Sequence, residues 1–239
     1  KAPRTVKRKI ASLQAFYHYL VYEEFISESP LYKLDLSFKL PQRLPRYIPN
    51  HVLSAFYQAL YEQKELAATD YQFRCAVRNI AVVELLFATG LRISELCSLT
   101  THAVRLSDCE IIIHGKGDKE RILQLTEEVT LVALHEYEAM YQQKIAECGY
   151  FFVNGYGNRL SEQSVRIMLN KIAASAPVSY HITPHMFRHS FATSLVNQDV
   201  DIRCIQEILV HNYIKTTEIY THVDLTKQKS ILESKNPRK

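Results

Sequence analysis

Apolar side chains return every three or four residues through most of this chain, and two short apolar runs flank one glycine-containing turn. That pattern selects a mainly α-helical fold with a small antiparallel β-sheet. Val6, Ile10, Leu13, Phe16, Tyr17, Leu20 and Val21 share one helical face, and Val52, Leu53, Phe56, Ala59 and Leu60 share another. A long apolar helix is predicted over roughly 72–89, with Gly90 as the residue that stops it. Ile93 to Leu99 restarts a helix briefly. Glu110 to His114, the turn 115–119 and Arg121 to Leu125 read as two antiparallel strands around a turn. Further helices are expected over 127–147, from the cap Ser161 to about 174, from the Thr183-Pro184 pair to about 197, over Asp201 to Leu209, and from Lys215 onward. Tyr150 to Val153 reads as a short strand.

A chain of 239 residues fits one large domain, or one plus a fragment. Pro41, Pro45 and Pro49, interleaved with Arg43 and Arg46, predict an extended linker over 41–49. It separates a partial helical domain of about two helices, 1–40, from a body over 50–239. With 47% hydrophobic and 23% charged residues, disorder over most of the chain is excluded. No apolar run approaches the roughly 20 residues of a membrane span. Basic residues at Lys1 to Lys9 are not followed by the apolar stretch of a signal peptide, and Lys1 in place of methionine is expected of a fragment or processed product. Five cysteines without a C-x-x-C spacing predict reduced, partly buried thiols in a cytoplasmic protein. Charge is uneven: residues 1–49 hold nine Lys/Arg and four Asp/Glu, a balance of +5, whereas the rest balances at −1. A basic amino-terminal segment on a neutral body points to a polyanion, with a solvated basic face as the alternative reading.

Four local patterns carry chemistry. In Ala88-Thr-Gly-Leu-Arg-Ile-Ser-Glu-Leu96, Arg92 sits just past a helix end, where its planar fork can meet a phosphate; alone it also reads as a surface salt bridge with Glu95. In Gly115-Lys116-Gly117, a lysine between glycines reaches out from a turn, as solvated hairpin lysines also do. His185 and Arg188 lie three apart in the first turn of the helix opened by Thr183-Pro184, so both can face one anion at a helix N-terminus. His181, His185 and His189 raise a zinc site, set aside because His181 precedes the helix and no acidic or cysteine ligand completes the set. His211 and Tyr220 form the fourth pattern, within the stretch Leu209 to Val223.

Taken in order, Arg92, Lys116, His185-x-x-Arg188, His211 and Tyr220 resemble the catalytic set of the tyrosine recombinase (phage integrase) family. The segments ATGLRISEL, GKGDKERILQL, TPHMFRHSFAT and TTEIYTHV look like its Xer-type and transposon-integrase branch. Residues 1–31 resemble the last two helices of the family's core-binding domain and 47–239 a whole catalytic domain. One departure is Val210, where the family usually has glycine.

The resemblance implies a site-specific recombinase or integrase in which Tyr220 attacks a DNA phosphodiester. A 3′-phosphotyrosine forms and a 5′-hydroxyl is freed, so rejoining needs no ATP. Arg92 and Arg188 would clamp the non-bridging oxygens, His185 would assist proton transfer, His211 would bond the phosphate, and Lys116 would protonate the leaving oxygen. Glu95 would brace the site. Neither metal nor cofactor is expected, because the cations do that work. The implied partners are double-stranded DNA recombination sites and a homotetramer, or heterotetramer of related subunits, exchanging strands through a Holliday junction. Protomers would touch through the carboxy-terminal segment, in the cytoplasm at the nucleoid and not at a membrane. Lys7, Arg8, Lys9, Arg43 and Arg46 are expected on the DNA backbone. The alternatives are type IB topoisomerase-like nicking and closing, or a non-catalytic DNA-binding regulator.

Overall fold

The computed structural model describes residues 3–36, 47–114, 120–177 and 180–209. The chain divides into two compact units, Lys1–Leu44 and Pro45–Lys239. Most of the expected linker, with Arg43 and Arg46, lies outside the described residues. Its last residues behave differently from a linker. Ile48 is buried, and its N–H donates to Ser190 Oγ at 2.9 Å, so the second unit begins on its own core.

The first unit contains helix α1, Pro3–Tyr22. Two helices were expected here; among the described residues there is one, followed by turns. Glu24 takes a left-handed φ of 57°, and the N–H groups of Glu24 and Phe25 return to the carbonyls of Val21 and Leu20. The helix end is thereby closed off, and Ser29-Pro30 soon after disfavours a restart.

In the second unit, α2 (Asn50–Glu65) and α3 (Asp70–Thr89) precede a short α4 (Ile93–Ser98). Strands β1 (Val104–Arg105), β2 (Glu110–His114) and β3 (Glu120–Gln124) form an antiparallel sheet in the order β1-β2-β3, with His114 opposite Glu120 at the end of the β2–β3 pair. Helices α5 (Glu128–Cys148), α6 (Glu162–Ser175), α7 (Pro184–Asn197) and α8 (Ile202–Leu209) follow. The expected helix from Lys215 lies outside the described residues. The stretch expected as a strand at Tyr150 to Val153 makes isolated bridges, Thr100 to Tyr150 and Val153 to Arg159.

Helix α3 is the centre. Its run Ile80, Ala81, Val82, Val83, Glu84, Leu85 and Leu86 is buried without a break, as in a helix covered on all sides. Helices α2, α5 and α7 pack around it. Thr69 starts it by accepting the Gln72 N–H, and Gly90 ends it at φ 61°. A side chain at Gly90 would be strained by that φ and would place its Cβ 2.7 Å from Phe191 Cδ1. Ser161 caps α6 by accepting the Ser164 N–H, as its sequence position predicts.

Tyr137 fixes α5 to the segment behind it. Its fully buried hydroxyl donates to the Phe151 carbonyl at 3.0 Å and accepts the Val153 N–H at 2.9 Å. Tyr137→Phe keeps the packing and leaves both backbone groups without that partner. It is expected to lower stability by about 1–3 kcal/mol, read as a lower urea midpoint at unchanged slope.

Candidate active site

The loop Gly90-Leu91-Arg92 between α3 and α4 is held from two sides. On one side is Glu95, third residue of α4. Its Oε2 accepts the backbone N–H of Arg92 at 2.9 Å, while its Oε1 accepts Arg92 Nη1 at 2.7 Å. The sequence pair read as a surface salt bridge is thus present, but its acid is not at the surface: Glu95 is 7% exposed. A second arginine, Arg121 on β3, donates through Nη2 to Oε2 at 3.1 Å and Nη1 to Oε1 at 3.5 Å. Burial pushes the Glu95 carboxyl up; the Arg92 N–H, Arg121 and the Arg92 guanidinium together outweigh it and hold it below the usual carboxylate range.

On the other side is Arg188, on α7. It is 5% exposed, and its Nη1 donates to the Gly90 carbonyl at 2.8 Å. Its Nη2 donates to the Leu209 carbonyl at the end of α8. A guanidinium suits the Gly90 carbonyl because the carboxy-terminus of α3 presents unsatisfied carbonyls and the negative end of the helix dipole. Arg188 therefore reaches the residue two before Arg92 in the chain, and the residue two before His211.

His185 lies one turn ahead of Arg188, as its spacing predicts, and is exposed. Thr183 takes the cap position and Pro184 the first turn of α7. His189, between the buried and exposed faces, has its pKa lowered to about 4, by burial first and by the charges of His185 and Arg188 next. It is neutral near pH 7. Among the described residues no group of three or more His, Cys, Asp or Glu is placed to hold a metal ion. Lys7, Arg8 and Lys9 are exposed on α1. Lys116, His211 and Tyr220 lie outside the described residues. Arg121 is the site residue that sequence reasoning missed.

The model of the phage integrase family matches residues 56–227, more than half of the chain. A tyrosine recombinase of Agathobacter rectalis is 51% identical over 237 residues, which cover 99% of this chain and 78% of that protein. Tyrosine recombinase XerD of Listeria monocytogenes is 36% identical over 242 residues, covering 100% of this chain and 78% of that one. Among solved structures, XerA recombinase superposes with a TM-score of 0.68 at 26% identity, covering 95% of this chain and 83% of that one. XerH recombinase on its palindromic difH substrate has the same fold, with a TM-score of 0.77 at 24% identity, 95% of this chain and 66% of that one. On the family match, the relatives and the shared fold, the chain belongs to the phage integrase family of tyrosine recombinases.

Proposed function

We propose that this chain, a site-specific DNA recombinase by family, cuts and rejoins DNA through a 3′-phosphotyrosine on Tyr220. The observation that carries the site assignment is the joint anchoring of one loop: Arg188 bonds the carbonyl of Gly90, and Glu95 binds both ends of Arg92 two residues later. Two guanidiniums are thereby fixed on a three-residue segment before any ligand arrives. Preorganised cations of this kind lower the barrier where charge grows on non-bridging phosphate oxygens.

In this reading Tyr220 attacks phosphorus, the Tyr220–phosphate ester forms, and the bond to the 5′-oxygen breaks. The phenol proton passes to a base, with His185 assisting, and Lys116 supplies the proton for the leaving oxygen. His211 bonds the phosphate. Reversal by another strand's 5′-hydroxyl restores the diester without an energy source. Two DNA sites are joined in a tetramer through a Holliday junction. Residues 1–40 are the end of a core-binding domain and 50–239 the catalytic domain. The carboxy-terminal segment docks between protomers, and its sequence supports this: Val223, Ile231 and Leu232 supply an apolar face ahead of the basic Lys235 to Lys239. No helix among the described residues is long and apolar enough to cross a membrane.

The decisive experiment is incubation with a nicked duplex followed by denaturation. A covalent protein–DNA adduct is expected with the native chain. Tyr220→Phe loses only the hydroxyl, so it is expected to bind DNA and form no adduct; adducts at the native level would assign the nucleophile elsewhere.

Lys116→Ala is expected to slow cleavage of ordinary DNA by about 10²–10⁴-fold. With sulfur at the 5′-bridging position the defect shrinks, because a thiolate leaves without protonation. Equal defects on both substrates would remove Lys116 as the general acid.

Replacing Lys7, Arg8 and Lys9 together by alanine is expected to weaken binding to every duplex alike. The log–log salt slope falls by roughly 0.9 for each phosphate that is no longer neutralised. An unchanged slope would show that these residues do not touch the backbone.

A further inference from the structure

Arg121 stands where strand alternation calls for an apolar residue. On β2, Ile111 and Ile113 are buried, and Arg121 pairs directly with Ile113. Arg121 is on the inward side of β3, with 11% of its side chain exposed, while its neighbour Ile122 points outward and is 57% exposed. A strand that turns an arginine in and an isoleucine out is not arranged for stability alone. Nor does local hydrogen bonding explain the placement, since Arg121 Nε is buried with no partner among the described residues. What the side chain does reach is Glu95, through both terminal nitrogens.

The exposures are graded. Glu95 is 7% exposed, Arg121 11% and Arg92 39%. The two buried members carry opposite charges, and the member that reaches solvent is a cation. We infer that Arg121 is a positioning residue for Arg92: it neutralises Glu95 from β3, so that the carboxylate can hold Arg92 in place without cancelling the charge Arg92 offers to a phosphate. With Arg121 present the three side chains sum to one positive charge. Without it, Glu95 and Arg92 form a one-to-one pair of zero net charge, and the brace becomes an inhibitor of the residue it orients. The inference rests on Arg92 as a phosphate-binding residue.

The test reads charge separately from structure. Inorganic phosphate is titrated against the full chain, following the Arg92 Nε–H resonance in nitrogen-15-labelled protein. Arg121→Met is expected to weaken phosphate binding on the order of tenfold, as for one unit charge near a protein surface. Arg121→Lys keeps the charge and is expected to stay near the native value. The double variant Arg121→Met with Glu95→Gln removes one charge of each sign and is expected to recover most of the lost affinity. A merely structural tether predicts the reverse, because the double variant lacks both ends of it. Should Arg121→Met fail to fold, Arg121→Gln, which keeps a donor but no charge, makes the same comparison. Unchanged affinity in the single variant, or a double variant no tighter than the single, would overturn the inference. Adduct formation on the nicked duplex is measured on the same proteins and is expected to rank them identically. If phosphate affinities follow the expected order while the native chain makes no adduct, the recombinase reading of the site fails and the role of Arg121 stands.

Discussion

A buried guanidinium organises this site. Arg188 is withdrawn from water, and an unpaired charge in that position would be destabilising by several kcal/mol. Its compensation comes from two backbone carbonyls that face the same difficulty from the opposite side. Gly90 closes α3, whose end leaves carbonyls without a partner inside the helix, and the second carbonyl belongs to Leu209 of α8. One side chain on α7 satisfies both. The requirement is mutual: loss of Arg188 takes a donor from both carbonyls, and displacement of Gly90 or Leu209 takes an acceptor from a buried cation. The loop carrying Arg92 inherits its position from this exchange.

Position along α3 explains why the site lies where it does. The helix is buried through Leu86, with α2, α5 and α7 around it, so its path is fixed by apolar packing. Apolar packing has no direction along the axis, and the stopping point is chosen by Gly90. Its φ of 61° turns the chain, and the lack of a Cβ lets Phe191 and Leu209 close over it. Arg92 then starts α4, and the first turn of α4 brings Glu95 back onto it. A rigid apolar rod, one left-handed residue and one turn of helix suffice to aim a guanidinium without any flexible segment between.

What the sequence made legible was local chemistry. Gly90 as a helix stop, Ser161 as a cap, Thr183-Pro184 as a helix start and the two antiparallel strands near 110–125 rest on residues close in the chain, and the described elements lie there. The pairing of Arg92 with Glu95 was legible for the same reason. The second partner of Glu95 was not, because Arg121 reaches it from β3, 26 residues away. Arg188 was placed with His185 on an anion-facing turn, but its partners lie 98 and 21 residues away and no local pattern announces them. Arg121 was hidden by ambiguity of face. In Arg121-Ile-Leu-Gln-Leu125, apolar residues fall on both sides of a short strand, and only the observed register shows the arginine turned inward. Where α1 ends was not legible either, because among the described residues Glu24 adopts a positive φ that a non-glycine residue seldom takes.

The charges of the described site share a property that bears on mechanism. Arg92, Arg121 and Arg188 supply guanidiniums, planar cations with several donors each. Glu95 is held ionised below the ordinary carboxylate range by the groups that bind it. His189, the titratable side chain next to Arg188, is kept neutral because burial and the neighbouring positive charges hold its pKa down at about 4. Neither Glu95 nor His189 changes its charge between about pH 6 and 8. This part of the clamp is therefore constant over that range, and pH dependence of cleavage is left to the other groups of the proposed mechanism. On the proposed mechanism protons pass through the phenol of Tyr220, the imidazole of His185 and the amine of Lys116, and His211 bonds the phosphate. A cationic frame around proton-transferring groups separates the two tasks of phosphoryl transfer, since stabilising the charge of the transition state and moving the protons then fall to different side chains.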